Sequence, residues 1–187
     1  MVMRSAVLVG VLVLIAIFAG TASAAQGGTT VDGSLIFASE PASGFGSTVG
    51  IGFGVLADLP KNAPARDVKL GIRGDLAYFD WSEEYFGVGV SYTRLMFFGG
   101  PRFTFLTGGK SGIAPYLEGG FELSFDHSEV FVPGLGKASR SDTSLGLAGG
   151  GGIDFPLSPK VKLGVNARLH LIDDSFMTVG MTLGMMF

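Results

Sequence analysis

Apolar residues recur at every second position through a series of segments of about ten residues, and this period of two restricts the chain to strands. In the final segment Val179, Met181, Leu183, Met185 and Phe187 share one parity, with Thr178, Gly180, Thr182, Gly184 and Met186 on the other. Side chains alternate across a strand, so one face of such a segment can meet lipid while the other packs inside.

Earlier segments repeat the pattern. From Val68, the residues Leu70, Ile72, Leu76 and Tyr78 oppose Lys69, Arg73 and Asp75. From Ile113, Leu117, Phe121, Leu123 and Phe125 oppose Tyr116, Glu118 and Glu122. From Val161, Leu163, Val165, Ala167, Leu169 and Leu171 oppose Lys162, Asn166, Arg168 and His170. Two further segments use glycine as the second residue: Val49 to Val55, and Leu145 to Phe155 with Asp154 among its glycines. Strands at about Val31 to Ala38 and Arg94 to Leu106 bring the expected count to eight, and an even count returns both ends to one side of a membrane. The expected fold is all-β, an eight-stranded antiparallel up-and-down transmembrane β-barrel.

The connections are expected to alternate between short periplasmic turns and longer outer loops. Pro60 to Asp67, Gly108 to Gly112 and Ser158-Pro159 read as turns. Asp126 to Asp142, with Pro133, three serines and mixed charges, reads as the longest outer loop. Trp81 to Thr93 contains the alternating Gly87-Val88-Gly89-Val90 and is expected to extend the following strand above the membrane.

Composition excludes other architectures. Thirty-one glycines disfavour helices, at up to about 1 kcal/mol per position relative to alanine. Past residue 24 no run approaches the roughly 18 apolar residues of a spanning helix. With 16% charged residues, the chain is too poor in lysine and glutamate to cover the outside of a soluble barrel. A net charge of −3 leaves no nucleic-acid footprint, and the absence of cysteine rules out disulfides and thiolate metal sites.

Residues 1–24 read as a signal peptide: Arg4, the apolar run Ala6 to Phe18, then the small-residue triplet Ala22-Ser23-Ala24. Cleavage is expected between Ala24 and Ala25, which leaves residues 25–187 as the barrel domain.

The terminal segment, ending on Phe187, resembles the C-terminal signal that the barrel-assembly machinery recognises in outer-membrane proteins. The stretch Ala114 to Gly120, the run Ala148 to Pro159 and the strand from Lys160 resemble the second half of the OmpA-like and OmpX-like barrel-domain family. Two departures stand out: the chain ends Met185-Met186-Phe187, where members often end in Tyr-Arg-Phe, and 16 Phe accompany only four Tyr and one Trp. The resemblance implies a porin-like barrel in the outer membrane of a Gram-negative-type bacterium. It also implies lipid and lipopolysaccharide as surroundings, with the assembly machinery and periplasmic chaperones as partners during biogenesis.

An eight-stranded barrel is just wide enough inside to be filled by side chains. The inward parity carries Lys69, Arg73, Asp75, Arg94, Arg102, Glu118, Glu122, Asp154, Lys162, Arg168 and His170. Arg73, Asp75, Arg102, Glu118, Glu122, Asp154 and Arg168 are expected to form a charge network that plugs the lumen, because buried charges must be paired. The expected role is structural, or one of envelope interaction, with a narrow porin-like channel for small solutes or ions as the alternative. An enzyme is not expected, since neither His170 nor the His127-Ser128 pair has the His-x-Ser form of outer-membrane lipid deacylases. Asp173-Asp174 and His127 are not assigned a metal, and no cofactor is expected. The run Gly149 to Gly152 lies inside a strand pattern, which argues against a phosphate loop.

Overall fold

A computed structural model of the chain describes residues 28–39, 46–60, 67–107, 112–173 and 175–187. The expected signal peptide lies outside the described residues, as do most of the turns Pro60 to Asp67 and Gly108 to Gly112. Eight strands follow in order: β1 Thr29–Ser39, β2 Thr48–Asp58, β3 Val68–Tyr85, β4 Val88–Phe105, β5 Ala114–Val132, β6 Gly136–Ser158, β7 Val161–Leu171 and β8 Phe176–Met186. Each pairs antiparallel with the next, and β1 closes the ring on β8, from Thr30 opposite Met186 to Ser39 opposite Met177. The backbone of Phe187 ties off the seam: its N–H donates to the Thr29 carbonyl at 2.8 Å, and the Thr29 N–H donates to its carbonyl at 3.2 Å.

Outward positions are apolar and exposed, including Leu35 (59%), Phe121 (68%) and Leu145 (73%). Inward positions hold the buried charges. A soluble barrel has the opposite arrangement, and so large an exposed apolar surface is stable only against lipid. The outward face is therefore a membrane belt.

Strand length divides the barrel into two halves. β1, β2, β7 and β8 have 11 residues each, enough to cross a bilayer at the usual tilt. β3, β4, β5 and β6 have 18, 18, 19 and 23. Both ends of the described barrel and the β6–β7 turn at Pro159-Lys160 lie at one end, here termed inner, where the expected periplasmic turn falls. At the opposite, outer end the surplus of β3 to β6 rises as a four-stranded sheet. Trp81 to Thr93 belongs to it as the paired continuation of both β3 and β4 around a turn at Phe86-Gly87.

The expected long loop Asp126 to Asp142 is corrected to two strand ends joined by a three-residue turn, Pro133 to Leu135. Gly134 and Gly136, at φ 81° and 98°, make so tight a reversal possible. A strand wetted on both faces has the composition of a loop, so polarity alone misassigned it. Val130, Phe131 and Val132, all good strand formers, were the contrary signal.

Candidate functional site: a layered lumen

The inward side chains stack in layers. Above the inner mouth, the Asp154 carboxylate accepts from Arg102 Nη2 at 2.6 Å and Lys162 Nζ at 2.7 Å. The Arg102 guanidinium lies 3.2 Å from the centroid of the Tyr116 ring. Room for that ring comes from β6, where a Cβ on Gly152 would stand 2.6 Å from Tyr116 Oη. Below this layer a cavity of about 230 Å³ opens inward, with Asp58, Lys69, Thr104, Asp154 and Lys162 among its walls.

The next layer is the largest. Arg73 donates to both carboxylate oxygens of Asp32 and, through Nε at 2.6 Å, to Asp75. Arg168 Nη2 donates to Asp75 Oδ2 at 2.7 Å and to Glu118 Oε1, with its guanidinium 4.0 Å from the Phe98 ring centroid. Charge-assisted bonds at these lengths are the strong kind, and each offsets part of the large desolvation cost of its ions.

Above it His170 bridges two strands. Nδ1 is 2.5 Å from Glu122 Oε2, Nε2 is 2.9 Å from Thr178 Oγ1, and the ring stacks on Phe176 at 4.4 Å. An apolar layer of Ala38, Phe79, Met96, Ile172 and Phe176 then fills the outer end. At the same level Arg94 holds Asp126 through two bonds, of 2.6 and 2.9 Å.

All seven residues of the expected network thus face inward, but they divide among three clusters. Arg102 and Asp154 form the first, Arg73, Asp75, Glu118 and Arg168 the second, and Glu122 stands apart with His170. Sequence reasoning missed Asp32, although it shares the parity opposite Leu35 and Phe37, which was a sufficient signal. It missed Asp126 by assigning it to a loop. Among the described residues the lumen and inner mouth hold six lysines and arginines (Lys69, Arg73, Arg94, Arg102, Lys162, Arg168). Seven carboxylates face them: Asp32, Asp58, Asp75, Glu118, Glu122, Asp126 and Asp154. Glu122 faces His170 in place of a lysine or arginine.

On the outside of the projecting sheet His127 Nδ1 lies 2.9 Å from Ser141 Oγ. Ser128, its sequence neighbour, points to the opposite face. No carboxylate among the described residues bonds the second ring nitrogen of His127, so the orienting member of a triad is missing there. No group of three potential metal ligands occurs among the described residues. The expected assembly signal, Val179, Met181, Leu183, Met185 and Phe187, lies wholly on the outward face of β8 and its end.

A closed antiparallel barrel of eight strands, apolar outside and ion-paired within, is a transmembrane β-barrel. No family model and no curated protein matches the sequence. Solved structures do match in shape. Ail, the attachment invasion locus protein of Yersinia pestis, superposes with a TM-score of 0.59 at 16% identity, over 87% of this chain and 99% of that one. Ail has also been solved in complex with the heparin analogue sucrose octasulfate. OprG, an outer membrane protein from Pseudomonas aeruginosa, gives 0.58 at 13% identity over 86% and 96%. Neisserial surface protein A gives 0.50 at 18% identity over 85% and 94%. The likeness is one of fold: the chain has the fold of the small outer-membrane barrels, as the resemblance to the OmpA-like and OmpX-like family implied.

Proposed function

We propose that the protein is an integral outer-membrane barrel that does not conduct and that acts through its projecting outer sheet. The observation that carries this is the double closure of the lumen. The apolar layer of Phe79, Met96, Ile172 and Phe176 seals the outer end, and the Arg73-Asp75-Arg168-Glu118 layer crosses the lumen beneath it. A hydrated path needs polar walls with space between them, and each layer denies one of the two.

The projecting sheet gives the barrel something to offer outside the membrane. Its rise beyond the lipid costs strand residues that the barrel does not need, and among the described residues the pairing of β6 with β7 stops at Leu147, with only the Ser144 hydroxyl bonding Asp173 beyond it. An envelope-interaction role follows. A polyanion of the kind seen with Ail is not the expected partner, because Lys137 and Arg140 are already paired with Glu129 and Asp142. Lipid and lipopolysaccharide surround the belt, and the outward β8 series ending at Phe187 serves as the assembly signal. The role is non-catalytic on this reading, since no third member joins the His127-Ser141 pair among the described residues.

The competing reading, a narrow conduit, draws on the cavity at the inner mouth, where such a path would begin. Single-channel recording of the refolded protein in a planar bilayer decides between them, with heat-modifiable gel mobility showing that the barrel has formed. A folded, silent barrel is expected; steady openings would replace the sealed barrel with the channel.

A further inference from the structure

We propose that Met181 and Met185 form a modification site for oxidants of the peroxide class, one that acts on the chain before β8 closes the barrel and bars the oxidised strand from its lipid-facing position. The inference goes beyond the proposed role and requires only that the outward face meets lipid.

Methionine is confined to few places in this chain. Four of the seven methionines, Met177, Met181, Met185 and Met186, fall within the 11 residues of β8. Met96 is buried in the apolar layer, and Met1 and Met3 belong to the expected signal peptide. Among the described residues the exposed large apolar side chains of the other seven strands are leucine, isoleucine, valine, phenylalanine and tyrosine, never methionine. Met181 is 55% exposed and Met185 54%, so neither fills a gap in the interior. Met181 stands in register between Leu35 on β1 and Val165 on β7, and Met185 between Val31 and Val161. Met177 lies opposite Ser39 at the outer edge of the belt.

A thioether is apolar and suits lipid, whereas a sulfoxide is polar and its oxygen requires a donor. In the reaction the sulfur gives an electron pair to one peroxide oxygen, and the S–O bond forms as the O–O bond breaks. The departing hydroxide takes the proton from the new oxygen and leaves as water, so the sulfur is oxidised by two electrons and the peroxide reduced by two. In the finished barrel the cross-strand neighbours of Met181 and Met185 are hydrocarbon, as is the lipid beyond them, and the sulfoxide oxygen stays unsatisfied. Timing follows from the same geometry. Until β8 pairs with β1 both thioethers share water with the oxidant, and afterwards the bilayer covers them. Met186 provides the contrast on the same strand, because it borders the cavity at the inner mouth, which opens to water in the finished barrel.

The test uses the full chain carrying Met96→Leu, which removes the buried thioether as a second cause of misfolding. Treated with hydrogen peroxide in urea, quenched and diluted into phosphatidylcholine vesicles, it is expected to give severalfold less heat-modifiable barrel than the untreated chain. Methionine sulfoxide reductase applied before dilution should restore the yield. Adding Met181→Leu/Met185→Leu, a swap of similar apolar volume, should make the yield insensitive to peroxide. Peroxide added after folding should place oxygen on Met186, read by peptide mass mapping, and leave Met181 and Met185 as thioethers. Full folding of the oxidised chain overturns the proposal, as does an equal loss with Met181→Leu/Met185→Leu in place, which would move the damage elsewhere. Equal oxidation of Met181, Met185 and Met186 in the finished barrel overturns it too. Where the leucine variant folds poorly untreated, the reductase arm decides: a yield that reduction does not restore removes the site.

Discussion

Arg73 on β3 reaches across the whole width of β2 to clamp Asp32 on β1, with Nη2 2.7 Å from Oδ1 and Nη1 on Oδ2. The bridge is possible because Gly54 stands between them, in register with Asp32 on one side and Asp75 on the other. A Cβ at Gly54 would overlap the Arg73 guanidinium and the Asp75 carboxylate. Three adjacent strands are thereby fastened from the inside by one side chain.

Removing the Asp32 carboxylate leaves a buried guanidinium with half its neutralising charge. Asp32→Ala is expected to destabilise the refolded barrel by about 3 kcal/mol, the lower end for breaking a buried pair, because Asp75 remains. Arg73→Leu added to Asp32→Ala should return part of that loss. Urea unfolding in lipid vesicles, run as a double-mutant cycle, reads the coupling directly. Strictly additive effects would show that the clamp contributes nothing.

Gly54→Val makes the same point through shape. The added side chain displaces the Arg73 guanidinium and the Asp75 carboxylate without removing either charge, so a cost of about 2–4 kcal/mol is expected, comparable to a core overpacking combined with a broken pair. A valine variant as stable as the parent protein would mean that the guanidinium has other room.

The outer apolar layer is a small hydrophobic core inside a membrane protein. Phe79 is 1% exposed and packs with Met96, Ile172 and Phe176. Phe79→Ala should cost about 3–5 kcal/mol in the same unfolding assay. It should not open a pore, since the Arg73-Asp75-Arg168-Glu118 layer still crosses the lumen below. Conductance in Phe79→Ala would show that the apolar layer is the sole seal.

Inward and outward positions are expected to respond oppositely to charge. Met181 lies near the middle of β8 and faces out, whereas its neighbour Thr182 is buried in the lumen. Met181→Arg should destabilise by about 2–4 kcal/mol, the cost of a cation near the bilayer midplane. Thr182→Val should stay within about 1 kcal/mol, having lost only a hydroxyl. A reversal of that order in vesicle unfolding would mean the faces are assigned backwards.

Most of this fold was legible because a strand's period of two survives any tertiary detail: the parity of Leu70 against Arg73, or of Leu169 against Arg168, sets inside from outside without knowledge of neighbours. Register was not legible. Nothing in the sequence says that Asp32 meets Arg73 rather than Arg168, since pairing across the lumen depends on strand stagger and on which inward positions are glycine. Hence one expected network became three clusters, and Glu122 went to His170. The outer sheet was only half legible for a different reason. Above the lipid both faces of a strand are wet, alternation fades, and Asp126 to Asp142 takes the composition of a loop while remaining a hairpin.

Phe187 separates assembly from stability. Its main chain closes the β1–β8 seam through Thr29, while its side chain is 77% exposed at the inner edge of the belt. Phe187→Ala keeps those backbone bonds and sheds only part of one side chain's contact with lipid, so unfolding of the refolded variant should shift by no more than about 1–2 kcal/mol. If the outward series Val179, Met181, Leu183, Met185 and Phe187 is read by the assembly machinery, the same substitution should sharply lower the fraction of heat-modifiable barrel recovered from outer membranes. The comparison that matters is between the two measurements. A loss in cells with little loss in vitro assigns Phe187 to assembly. Matched losses would assign it to packing alone, and an unchanged cellular yield would remove it from the signal.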